Sequence, residues 1–171
     1  DPYLLSKKVQ PHGLKLSRGK LVVPLYDQNQ ILQSLQFIGP DGDKKFLVGG
    51  RIKGCYYPIG GSPEKILYIA EGFATAATVH DATGSTVAVA FNANNLKPVA
   101  IALRAKFPNL EMVICADDDH ITDRNPGITK AREAALEVKA SIAVPNFGET
   151  RGKDETDFND LYQVKGLKAV R

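Results

Sequence analysis

The chain has 171 residues, 43% of them hydrophobic and 24% charged, with 15 glycines and 10 prolines. This profile excludes disorder and collagen-like repeats, and it allows one substantial domain or two small lobes sharing a core. The net charge of +3 conceals a split: residues 1–63 carry nine Lys and Arg against four Asp and Glu, and residues 64–171 carry thirteen against fifteen.

A basic lobe ahead of an acidic one suits a protein that holds phosphate backbone with one part and divalent cations with the other. No apolar run approaches the roughly 20 residues a membrane helix needs, and no charged-then-apolar leader opens the chain. The expectation is a cytosolic (cytoplasmic) protein with no membrane partner. Cys55 and Cys115 form no CxxC pair, so neither a zinc ribbon nor a disulfide framework is encoded. The chain opens at Asp1 with no initiator Met, which marks it as an expected piece of a longer polypeptide.

Residues 1–63 read as a small, mainly antiparallel β lobe. The apolar-rich runs 21–25 and 31–38 are joined by the polar residues 27–30, a hairpin pattern. A Gly-Pro-Asp-Gly turn at 39–42 leads to a strand at 45–48, which Gly49 and Gly50 break. Residues 60–63 read as a joint, so the boundary is expected at residue 63.

From residue 64 onward strands and helices alternate. Strands are expected at 66–70, 86–91, 112–116 and 142–144, and helices at 73–81, 96–106, 127–139 and 157–165. Alternation of this kind implies parallel pairing, so residues 64–171 are predicted to form an α/β domain: a doubly wound, mostly parallel sheet flanked by helices. Function in such sheets collects at the carboxyl ends of the strands.

The carboxylates fall at those ends. Glu71 follows the first of these strands directly, with Gly72 behind it, and Asp117, Asp118 and Asp119 follow the third. Asp157 comes after the fourth, at the start of the last helix, with Asp154 and Asp160 nearby. Gathered carboxylates repel unless a cation neutralises them or one keeps a proton. Oxygen ligands without a Cys or His cluster favour Mg²⁺ or Mn²⁺. Strand alternation sends Asp117 and Asp119 one way and Asp118 the other, so Glu71, Asp117, Asp119 and Asp157 are the candidate ligands and Asp118 is expected outward. Taken singly, Glu71 suits a helix N-terminus and Asp157 an N-cap.

The run Glu71-Gly72-Phe73-Ala74-Thr75-Ala76 followed by Ala116-Asp117-Asp118-Asp119 resembles the Toprim signature, a Glu-Gly turn plus an Asp-x-Asp pair. It is most similar to the version in primases of conjugative plasmids and satellite phages. Upstream, residues 19–25, 35–38, 45–47 and 51–56 resemble the small N-terminal subdomain of the DnaG-type catalytic core. Three departures stand out: residues 91–95 lie where relatives usually have a glycine, residues 121–126 lengthen the loop after the Asp pair, and Asn159 replaces a second carboxylate.

The resemblance implies Mg²⁺- or Mn²⁺-dependent synthesis of short RNA primers on single-stranded DNA from nucleoside triphosphates. Glu71, Asp117 and Asp119 would then be catalytic, with Asp157 a further metal contact. Lys45, Arg51 and Lys53 would face nucleotide and template, and a replicative helicase would be fused or recruited. Two other readings stay open: a Toprim nuclease using the same carboxylates, and a non-catalytic DNA-binding module of a replication initiator.

Overall fold

The computed structural model describes residues 1–149 and 151–171. It begins with a helix absent from the sequence expectations, α1 (Pro2–Lys7). Asp1 caps it by accepting from the Tyr3 and Leu4 amides, and Pro2 stands in the first turn, where its missing N–H costs nothing.

Four strands follow as an antiparallel sheet: β1 (Lys15–Ser17), β2 (Lys20–Tyr26), β3 (Leu32–Ile38) and β4 (Lys44–Phe46), in that spatial order. In β2 burial alternates strictly, with Leu21, Val23 and Leu25 inward, the period of two that commits the run to a strand. The turn between β2 and β3 is organised by Asp27, whose carboxylate accepts from the Asn29 and Ile31 amides at 2.9 and 3.0 Å.

The second sheet has five strands: β5 (Tyr57–Ile59), β6 (Ile66–Ala70), β7 (Thr86–Val89), β8 (Glu111–Cys115) and β9 (Ser141–Ala143), ordered β5-β7-β6-β8-β9. The last four in chain order run parallel, and β5 lies antiparallel along the edge of β7. The helices α2 (Phe73–Thr83), α3 (Ala93–Lys106), α4 (Pro126–Val138) and α5 (Phe158–Lys165) complete the expected doubly wound α/β arrangement. A 3-10 turn at Leu167–Val170 follows. Although β5 precedes residue 63, it pairs within the second sheet.

Two apolar cores flank that sheet. One joins Phe73 and Ala77 of α2 and Leu161 of α5 to Val23, Leu25 and Ile38 of the first sheet. The other joins Leu96 and Leu103 of α3 to Ala131 and Val138 of α4. The first sheet therefore shares its interior with α2, which fixes β4 beside the mouth of the second sheet. Both cysteines are buried. Among the described residues, no helix is long and apolar enough to cross a membrane.

Candidate functional site

Ala70 of β6 pairs with Cys115 of β8, so the chain leaves both strands at the same edge and in the same direction. Glu71 and Asp117 emerge there together. They line one cleft of about 350 Å³ with Asp157, Lys44, Thr75, Phe91, and Tyr3 and Lys7 of α1. A larger hollow of about 500 Å³ elsewhere is lined by Tyr26, Tyr56, Lys106 and a mix of apolar and uncharged polar residues and holds no carboxylate. Chemistry rather than size singles out the smaller one.

Each acid is held differently. Asp157 is the N-cap of α5: one oxygen accepts from the Asp160 amide, and Asp160 returns the bond to the Asp157 amide, a capping box. Its other oxygen receives the Thr75 hydroxyl at 2.9 Å. Asp157 thus caps α5 and also lines the cleft. Asp117 Oδ1 is buried with no hydrogen-bond partner. Asp119, an expected ligand, is not among the residues lining the cleft; its Oδ2 accepts from the Gly127 amide at 3.0 Å. Asp118 pairs with Arg151 and Asn125 instead of lining the cleft.

Gly127 permits this arrangement. A Cβ there would stand 2.2 Å from the Asp117 carbonyl oxygen, so only glycine lets the start of α4 press against the loop after β8. Phe91 opens the stretch 91–95 that follows β7. It adopts a φ of 74°, in the region that favours glycine. Its ring is buried and meets Phe46 edge-on with centroids 6.1 Å apart, packing that holds the strained backbone in place.

Charge is concentrated in the cleft. Burial and the surrounding acids Glu71, Asp157 and Asp119 push the Asp117 carboxyl well above the usual range, against the pull of Lys44. Burial and Asp119 raise Glu71, and burial and Asp160 raise Asp157. Tyr3 is pushed up to about 12 by burial and by Asp157. Among the described residues, no three of the cleft oxygens gather within 4.8 Å of one another, a spacing that mutual repulsion favours. A hard divalent cation fits this donor set. It would neutralise buried charge and partner the orphaned oxygen of Asp117.

The basic residues divide into two groups. Lys44 is exposed as a whole residue, yet its Nζ reaches into the cleft, 3.8 Å from where a Cβ on Gly72 would sit. Crowding by protein atoms lowers its pKa, opposed first by Asp157. Lys45, next along β4, is exposed and 3.7 Å from Asp43. Arg51 and Lys53 line a separate shallow groove with Lys97 and Lys130. Buried Asn95 fixes the 51–56 segment there, accepting from the Gly54 amide and donating to the Cys55 carbonyl. Arg51 also bonds to Asp27 at 3.1 Å.

Lys44, Tyr3, Lys7 and Thr75 are cleft residues the sequence reading did not select. Tyr3 and Lys7 were signalled by Asp1-Pro2, an N-cap followed by a proline in the first turn. Thr75 lies within the run Glu71 to Ala76. For Lys44 against Lys45, sequence alone offers no register.

A mostly parallel sheet with acids at the carboxyl ends of its strands belongs to the doubly wound α/β class, whose sites lie at that edge. Comparison narrows this. A family model described as Toprim domain matches residues 66–168. The chain belongs to the Toprim-domain family. Two Escherichia coli proteins named DNA primase TraC are 41% and 38% identical to it over 157 residues, each across 85% of this chain. The chain spans only 15% and 11% of their lengths. Among solved structures, the primase fragment of the bacteriophage T7 primase-helicase protein superposes with a TM-score of 0.67 at 18% identity, covering 99% of this chain and 67% of that one. The DnaG primase catalytic domain bound to single-stranded DNA superposes at 0.55 with 15% identity, covering 93% and 54%. At these identities the likeness is one of fold.

Proposed function

We propose that this chain is the catalytic core of a DNA primase, which synthesises short RNA primers from nucleoside triphosphates on single-stranded DNA. The observation that carries the reading is the meeting of Glu71, Asp117 and Asp157 in one cleft, with a buried Asp117 oxygen unpartnered and the Lys44 amine alongside. The naming of the TraC relatives as primases supports it.

Asp117, Asp157, Asp119 and Glu71 would hold Mg²⁺ or Mn²⁺, which when bound lowers the barrier to attack by a 3′-hydroxyl and neutralises departing pyrophosphate. The residues of the chain do the rest. Glu71, whose carboxyl is raised by burial, is suited to accept the hydroxyl proton. Lys44, whose amine reaches into the cleft beside Gly72, would meet triphosphate oxygens. Thr75 keeps the Asp157 carboxylate aimed inward. Arg51 and Lys53, with Lys45 on the exposed part of β4, would take the template backbone, so their contribution weakens with salt. A replicative helicase, fused or recruited, is the partner this role implies.

The test is primer synthesis by Glu71→Gln and Asp117→Asn on single-stranded DNA with Mg²⁺ and nucleoside triphosphates. Loss of at least about a hundredfold in dinucleotide yield, with folding intact, is expected. Yields like those of the unaltered chain would overturn the assignment. Cleavage of labelled single-stranded DNA with Mn²⁺ and no nucleotides would instead select the nuclease reading.

A further inference from the structure

Away from the acidic cleft, His12, His80 and Asp81 gather one ligand atom each within 4.8 Å of one another. Among the described residues, no other three His, Cys, Asp or Glu side chains meet so closely. His12 lies in the segment between α1 and β1, and His80 and Asp81 lie near the end of α2.

Three details distinguish this group from a chance meeting. The His80 Nδ1 lies 2.8 Å from the Ser85 carbonyl oxygen. A carbonyl only accepts, so Nδ1 carries the hydrogen and Nε2 keeps a free lone pair. An imidazole anchored through one nitrogen to a carbonyl, with the other free, is the arrangement of metal-binding histidines. Second, His12 Nε2 is buried and makes no hydrogen bond, although it stands 3.1 Å from Asp81 Oδ1. The two atoms are close but misdirected for a hydrogen bond. Their separation is near the edge of a tetrahedron built on zinc bonds of about 2.0 Å, roughly 3.3 Å. Third, the backbone presents His12 deliberately. Its φ is 42° and that of Gly13 is 86°, and the Tyr57 hydroxyl donates to the His12 carbonyl at 2.7 Å.

The two imidazole rings meet edge to face with centroids 5.1 Å apart. Burial, with His80 adjacent, lowers the His12 pKa against the pull of Asp81. Neutral imidazole is the form that binds metal.

We propose that His12, His80 and Asp81 form a second metal site, for Zn²⁺ or a similar borderline transition ion, with solvent in the fourth position beside the exposed Asp81. Two nitrogens and one carboxylate suit such an ion and not Mg²⁺, so the site differs in chemistry from the acidic cleft. Its role is to clamp the segment after α1 onto α2. That segment follows α1, which brings Tyr3 and Lys7 to the cleft, so the clamp steadies one wall of it from behind.

The test uses metal-stripped 171-residue chain dialysed against Zn²⁺ in excess Mg²⁺, and Co²⁺ as a visible probe. One equivalent of Zn²⁺ is expected, with a d–d absorption band for Co²⁺ and a rise in Tm on Zn²⁺ addition. His12→Gln and His80→Gln should each weaken binding at least about tenfold and abolish the Tm rise. The double variant Glu71→Gln, Asp117→Asn should bind as the unaltered chain does. Should His80→Gln fail to fold, His12→Gln, which changes a connecting segment, decides. No Mg²⁺-resistant equivalent in the unaltered chain, or equal binding by His12→Gln, would overturn the proposal and leave a stacked pair of rings beside a carboxylate. None of these readouts depends on primer synthesis.

Discussion

Thr75 and Asp157 are 82 residues apart in the chain and 2.9 Å apart in space, with the Thr75 hydroxyl donating to Asp157 Oδ2. The bond ties the first turn of α2 to the cap of α5, so the two elements that bracket the cleft share one side-chain contact.

Removing that hydroxyl isolates its contribution. Thr75 is almost fully buried, and Thr75→Val conserves shape while leaving Asp157 one donor short. A stability loss of about 1–3 kcal/mol in urea denaturation is expected, together with weaker Mn²⁺ binding. Thr75→Ser should restore both. A valine variant with unchanged Mn²⁺ affinity would show that Asp157 does not depend on this donor.

The cleft acids set a pH dependence whose sign is opposite to that of ordinary surface carboxylates. Burial and neighbouring acids hold the Asp117 pKa above its unfolded value. Between the two values the folded state binds more protons, so this contribution to stability is full below about pH 4 and is lost as pH rises through the folded pKa. In EDTA, Asp117→Asn should therefore raise Tm at neutral pH, by about 2–4 °C per kcal/mol relieved. Added Mg²⁺ should stabilise the unaltered chain more at neutral pH than in mild acid. A Tm lowered by the substitution at neutral pH in EDTA would contradict this.

Asp118 and Arg151 supply the reverse case. Burial raises the Asp118 carboxyl, but Asn125 and Arg151 outweigh it and hold the group below the usual range. The contribution is present above about pH 4 and fades as pH falls through the lower folded value. Arg151 also donates to the Asp118 and Glu155 carbonyls and stacks 4.8 Å over Phe147. Arg151→Ala should cost about 1–3 kcal/mol, and Arg151→Lys should recover little of it, because an ammonium cannot reproduce the fork. Chemical denaturation of both variants checks this.

Lys44 and Arg51 separate two steps of the proposed reaction. Lys44→Ala should lower the synthesis rate at saturating template by tenfold or more, about 1.4 kcal/mol or more in the barrier. Arg51→Ala and Lys53→Ala should instead weaken single-stranded DNA binding and flatten its salt dependence, measured by fluorescence anisotropy. Equal effects of all three on template affinity would merge the two groups.

Much of this architecture is legible in the sequence because each lobe has its own period. Residues 66–70 and 112–116 announce buried strands, and the acids that follow them inherit a common edge from parallel pairing. What stays hidden depends on register. In β3 the inward residues are Ser34, Gln36 and Ile38, while Leu35 and Phe37 are only half-buried, so apolar alternation points to the wrong face. The same ambiguity hides Lys44 behind Lys45. The strand β1 has no buried residue and so no pattern to read. α1 has only one, Tyr3, so its signal rests on Asp1 and Pro2 rather than on an apolar stripe.

The antiparallel strand β5 has a further consequence. It closes the flank of β7 with residues that come before the expected boundary at 63. A shortened chain starting at residue 64 would leave β7 with bare amides and carbonyls, open to pairing with another copy and prone to precipitate. The acidic half cannot simply be cut out and transplanted; it travels with the piece that sheathes its border.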